Sequence, residues 1–235
     1  MLATTTLSRQ LKHYKRLGFH GCPTLAATLI NVQHWQKSRM QAVHQELFSL
    51  PDNQHISQFL LARLYHFNDL NLLAQQLDKA LQEKIKLDRW LPDGVLTAAI
   101  LSFRLAYMTL QLDEQLARHA LEHQLDINDT TMQRAIHDLN QFKVRHQQLD
   151  LLEKFAHALH RYSRSLMIQS GFKLAKSTAY RRQFHELYDY LAQAFAAMRA
   201  SNNPCHFFTT FIAQEKTVLE HIATYHPQPF MPITC

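Results

Sequence analysis

From Tyr180 to Met198, Tyr180, Phe184, Leu187, Tyr188, Leu191, Phe195 and Met198 return every three or four positions. That spacing lays an apolar stripe along one face of an α-helix and does not suit a strand. The same period recurs through most of the chain. Turn formers are correspondingly scarce, with four glycines and seven prolines in 235 residues. Few reversals suit long helices and argue against a many-stranded sheet. With 46% hydrophobic residues there is material for a sizeable core. The expectation is an all-α fold, a single multi-helix bundle of about eight helices spanning residues 1–235.

The punctuation predicts the elements. A first helix covers residues 5–17 and stops at Gly18. Pro23 opens a second over residues 24–50, striped by Leu25, Leu29, Val32, Met40, Val43 and Leu47 and stopped by Pro51. A third covers residues 56–66. Asn68 or Asp69 caps a fourth, with the stripe Leu73, Leu77, Ala80 and Leu81. Pro92, Asp93 and Gly94 begin a strongly apolar helix that breaks near Leu112 and Asp113, followed by a segment carrying Leu116 and Ala120. Asn128 caps a short helix reaching Leu139. Residues 144–170 form the next, with Leu152, Phe155, Leu159, Tyr162 and Leu166 inward and Gly171 as its C-cap. Ser177 caps the helix of the opening stripe, and Asn203 and Pro204 start the last. Residues 226–235 hold three prolines and read as an extended tail.

Two stripes carry polar residues that the period turns inward. Glu215 stands amid Phe208, Phe211, Ile212, Val218, Leu219 and Ile222. Arg39 and Gln36 stand on the stripe of the second helix. A buried carboxylate is costly unless it is paired and hydrogen-bonded. Glu215 and Arg39, assisted by Gln36, are therefore expected to form a buried polar pair, or to line a polar pocket in the core.

Other chemistry is sparse. None of GxGxxG, the P-loop, GxSxG and HExxH occurs. No glutamate has a histidine three residues later, so the ligand pattern of di-iron bundles is missing. Sixteen histidines leave His119 and His123, spaced i,i+4, as weak metal candidates, and no cofactor is expected. Cys22, Cys205 and Cys235 lack CxxC spacing and read as reduced thiols. The first residues lack the apolar core of a signal peptide. The apolar run of residues 95–112 is short for a membrane span and carries Arg104, so it reads as a core helix. A soluble cytoplasmic protein is expected.

The formal charge is +6, and the cations gather. Between Lys154 and His185 there is no Asp or Glu, while Lys154, Arg161, Arg164, Lys173, Lys176, Arg181 and Arg182 alternate with Tyr162, Phe172 and Tyr180. Read as helix–loop–helix, with residues 171–177 as the return, this stretch presents a basic surface to an acidic protein, a nucleic acid or an acidic membrane.

The run Gln58-Phe59-Leu60-Leu61-Ala62-Arg63-Leu64-Tyr65 resembles the signature of the bacterial FFLEELY-motif proteins. Trp35-Gln36-Lys37-Ser38-Arg39-Met40 resembles their upstream Trp-Gln segment. Phe195-Ala196-Ala197-Met198-Arg199, continuing to Gln214-Glu215, is similar to their C-terminal part. The resemblance covers most of the chain and implies a helical protein of a family without an assigned activity. Ala62 and Arg63 stand where the family's name has two glutamates, so a function resting on those carboxylates does not carry over. The expected role is a non-enzymatic binding protein using the basic stretch. The alternative is a helical-bundle enzyme that binds a small molecule or metal around Glu215 and Arg39.

Overall fold

A computed structural model describes residues 2–63, 67–82 and 92–233. Among them every regular element is helical. In chain order the α-helices are α1 (Leu2–Tyr14), α2 (Pro23–Val43), α3 (Gln45–Ser49), α4 (Gln54–Arg63), α5 (Phe67–Gln82), α6 (Asp93–Glu122), α7 (Asp129–Asp138), α8 (Phe142–Ser163), α9 (Leu166–Arg181), α10 (His185–Ala200) and α11 (Pro204–Ala223). The all-α class holds, with eleven helices among the described residues in place of about eight.

The extra helices come from breaks that carry no glycine or proline. The second expected helix divides at His44, whose ψ of 21° leaves the helical range. Its ring is fully buried, and α3 resumes one residue later. The expected helix of residues 144–170 stops at Ser163, and Ser165 caps α9 by accepting from the Ile168 amide. Gly171 and Ser177 therefore lie inside α9, not at a C-cap and an N-cap. The anticipated return at residues 171–177 is helix. Conversely, α6 runs unbroken through Leu112 and Asp113 for 30 residues. The fourth expected helix begins at Phe67, so Asn68 and Asp69 fall in its first turn and do not precede it. The first helix ends at Tyr14, and a 3-10 turn covers Gly18–Gly21. Residues 64–66 of the third expected helix lie outside the described residues, as do the side chains of Ala80 and Leu81.

Several local readings hold. Asn128 caps α7 in a reciprocal box with Thr131. Pro23 and Pro204 take the first turns of α2 and α11, and the Asn203 side chain accepts from the His206 amide. Leu50, before Pro51, is extended at ψ 129°, as the proline ring requires of its predecessor.

The spine is α6, which packs against α1, α2, α5, α7, α8, α9 and α10. By length and composition it is also the one helix among the described residues apolar enough to cross a membrane. On α6 packs α8, which in turn carries α10 and α11. The core runs from Leu7 through Met40, Leu116, Phe155 and Phe195 to Phe211 and Phe230. After α11 the chain is non-helical and folds back. Phe230 sets its ring 5.5 Å from Trp35, and the Ile233 amide donates to the Val43 carbonyl at 3.0 Å.

Candidate functional site

Where α2, α6, α8 and α11 meet, the apolar core gives way to a polar cluster. Gln36 and Arg39 reach it from α2 and Asp113 from α6. Arg145 and Gln148 come from α8, and Glu215 comes from α11. Each sits at a helical period that turns it inward, as Arg145 does four residues before Leu149. Arg39 donates two hydrogen bonds to Glu215, at 2.7 Å to Oε1 and 3.0 Å to Oε2. This fork-on-fork geometry is the strongest form of a carboxylate–guanidinium contact. Gln36 does not assist that pair; its Nε2 donates instead to Asp113 Oδ1 at 3.4 Å.

His44 completes the arrangement. Its Nε2 lies 2.6 Å from Glu215 Oε1, and its Nδ1 lies 2.7 Å from Gln214 Oε1. The Gln214 amide nitrogen donates to the Ile233 carbonyl, which orients its oxygen toward His44. Both ring nitrogens then lie within hydrogen-bond reach of side-chain oxygens. Burial alone would raise the Glu215 carboxyl. The Arg39 guanidinium and His44 outweigh it and hold the group well below the usual carboxylate range.

Asp113 titrates in the opposite sense. It is 1% exposed, and burial pushes its carboxyl up to about 6 despite Arg145, Gln36, Gln33 and Arg39. Its Oδ2 has no hydrogen-bond partner among the described residues. The cavity among these groups measures about 40 Å³. That is room for a water, and far below the ~300–1,000 Å³ of sites that hold metabolite-sized ligands. The cluster can hold four helices in register. As it stands it has no space for a substrate.

The metal candidates are not gathered. The rings of His119 and His123 lie 4.4 Å apart, and the Asp138 carboxylate is 4.0 Å from His119 Nε2. Among the described residues no three of His, Cys, Asp and Glu converge on a point that could hold an ion. Cys22 is an exposed free thiol and Cys205 a partly exposed one.

The structure spreads the acid-free stretch over the end of α8, the turn at Arg164 and Ser165, all of α9, and Arg182 at its C-cap. Lys154, Arg161, Arg164, Lys173, Lys176, Arg181 and Arg182 are all exposed. None of the seven forms an ion pair among the described residues. Arg161 lies over the Tyr162 ring at 5.2 Å and Lys176 over Tyr180 at 5.5 Å. The Tyr180 hydroxyl donates to Asp189 of α10, which sets a carboxylate beside the C-terminal end of α9, and exposed Glu153 precedes Lys154 at the other end of the stretch.

Sequence reasoning missed His44, Asp113, Arg145 and Gln214. A signal existed for two of them. Arg145 is in phase with the α8 stripe, and Asp113 ends an apolar run in which a break was the simpler reading. Searches of the curated proteins and of the solved structures returned no match. One family model does match, covering residues 17–229, and its description is a domain of unknown function, DUF8198. That match takes in α2 through α11 with both the polar cluster and the basic stretch, and the chain belongs to the DUF8198 family.

Proposed function

We propose that this chain is a non-enzymatic binding protein, one helical domain over residues 1–235, that meets an anionic partner through the cations of α8 and α9. The observation that carries this reading is seven exposed cations with no carboxylate partner among the described residues, in a stretch that contains no Asp or Glu. Unpaired cations of one sign raise the local potential and attract anionic surfaces. A core cavity of about 40 Å³ weighs against the enzyme alternative around Glu215 and Arg39. The likeness to FFLEELY-motif proteins enters as a likeness of fold, because Ala62 and Arg63 replace the carboxylates a shared site would need. Free thiols at Cys22 and Cys205 support the cytoplasm as its compartment.

The test is binding of the full chain to heparin, to a short DNA duplex and to phosphatidylglycerol vesicles at low and moderate salt. Binding to at least one is expected. It should weaken with salt, since it rests on exposed charges and released counterions. The joint variant Arg161→Gln, Arg164→Gln, Arg181→Gln and Arg182→Gln should bind much less. Failure of all three ligands, or a quadruple variant that binds like the parent, would overturn the reading.

A further inference from the structure

The outer face of α9 is not only basic. Leu166, Met167 and Leu174 are 86%, 81% and 80% exposed, far more open than a packed apolar side chain. At about 100° per residue the three fall within a ~100° arc of the helix. Ser170 and Ser177 share that arc. Lys173 and Lys176 flank it on one side, and Arg181 continues it at the C-terminal end. The opposite face is anchored. Phe172, Ala175 and Ala179 are buried, and Phe172 stacks on Tyr188 with ring centroids 4.2 Å apart. The helix is therefore held firmly from behind while three large apolar side chains project into solvent.

We infer that α9 lies on an anionic lipid surface, with Leu166, Met167 and Leu174 inserted among the acyl chains and the surrounding cations on the headgroups. The inference rests on the basic-surface reading above and names its partner. Two alternative occupants leave part of the face unsatisfied, and an acidic protein would need a groove shaped to take three protruding side chains. A nucleic acid backbone rewards the cations but gives nothing to three protruding aliphatic side chains. A second copy of the chain would bury those side chains but set Lys173, Lys176 and Arg181 against their own like charges. A membrane satisfies both at once, because an interfacial helix combines apolar insertion with attraction to acidic headgroups. It also demands no matching concave shape, which suits a convex helix face.

The experiment uses the full chain and vesicles of phosphatidylcholine with or without phosphatidylglycerol, read by co-sedimentation, with heparin as a soluble polyanion. The parent should bind the phosphatidylglycerol vesicles at least ~10-fold more tightly than phosphatidylcholine alone. The variant Leu166→Ser, Met167→Ser, Leu174→Ser replaces only exposed side chains and should fold normally by circular dichroism. It should lose ~10-fold or more of vesicle affinity while keeping any heparin binding. Leu174→Trp should show a blue-shifted emission on the acidic vesicles. Heparin binding without vesicle binding would overturn the lipid assignment and leave the basic-surface reading standing. No binding to heparin, duplex or vesicles would overturn both. A triple-serine variant that binds vesicles like the parent, or a parent dimer abolished by that variant, would also overturn the inference.

Discussion

Asp113 and Glu215 occupy one polar cluster and respond to pH in opposite ways. Glu215 has its folded value held below the ordinary 4.5. Its stabilising contribution is therefore complete above that pH and is lost as pH falls toward the folded value. Asp113 has its folded value raised from 3.8 to about 6. Its contribution is complete below about 3.8 and is lost as pH rises through about 6, a loss of up to about 3 kcal/mol. Urea unfolding of Asp113→Asn should therefore lack the decline that the parent shows between those values. A variant with the same slope as the parent would disprove the raised value. Glu215→Ala leaves Arg39 and His44 as buried groups without their carboxylate, and should lower unfolding stability by roughly 3–5 kcal/mol. The Arg39–Glu215 contact was legible because each residue interrupts an apolar stripe. His44 was not, because one histidine beside Val43 gives no sign that its ring is turned toward a helix about 170 residues away.

Four helix ends in this chain are closed without glycine. Gln124, Asn140, Gln183 and Tyr225 have φ values of 52°, 46°, 63° and 54°, the left-handed conformation that usually calls for glycine. At three of them the next amide closes the end, donating to Ala120, Ala179 and His221 at 2.8 Å. Stops written in glutamine and tyrosine are invisible to a search for glycine. A non-glycine residue in this region costs about 1–2 kcal/mol. Gln124 is exposed and its side chain gives up little, so Gln124→Gly should raise the melting temperature; a fall would show that its side chain matters. Gly94 runs the other way. A Cβ there would meet the Tyr162 ring at 2.7 and 2.8 Å and Ile168 Cδ1 at 2.9 Å. Gly94→Ala should destabilise by about 1–3 kcal/mol through overpacking, although alanine is the better helix former by about 1 kcal/mol. A stabilised variant would mean that the α6–α8–α9 junction can yield.

At the scale of the whole molecule, seven of the other helices pack around α6, and packing of this kind needs no bound ion. Chelator treatment should leave the thermal midpoint unchanged, since an ion bound only to the native state would otherwise raise it by mass action. A drop that zinc restores would place a site among the histidines. The period of apolar residues by itself determined the all-α class, the inward faces of most helices and the caps at Asn128 and Asn203. Those properties depend on neighbours three or four residues apart, and the chain carries them locally. Only the tertiary structure decided the rest. It carried α6 unbroken through Asp113, whose carboxylate accepts from Gln36 of α2 and feels the charge of Arg145 of α8. It split α2 from α3, because the His44 ring turns toward Gln214 and Glu215. It made residues 171–177 part of α9, because Phe172, Ala175 and Ala179 found a common buried face. Each of these outcomes depends on groups far apart in the chain, so no local period records it.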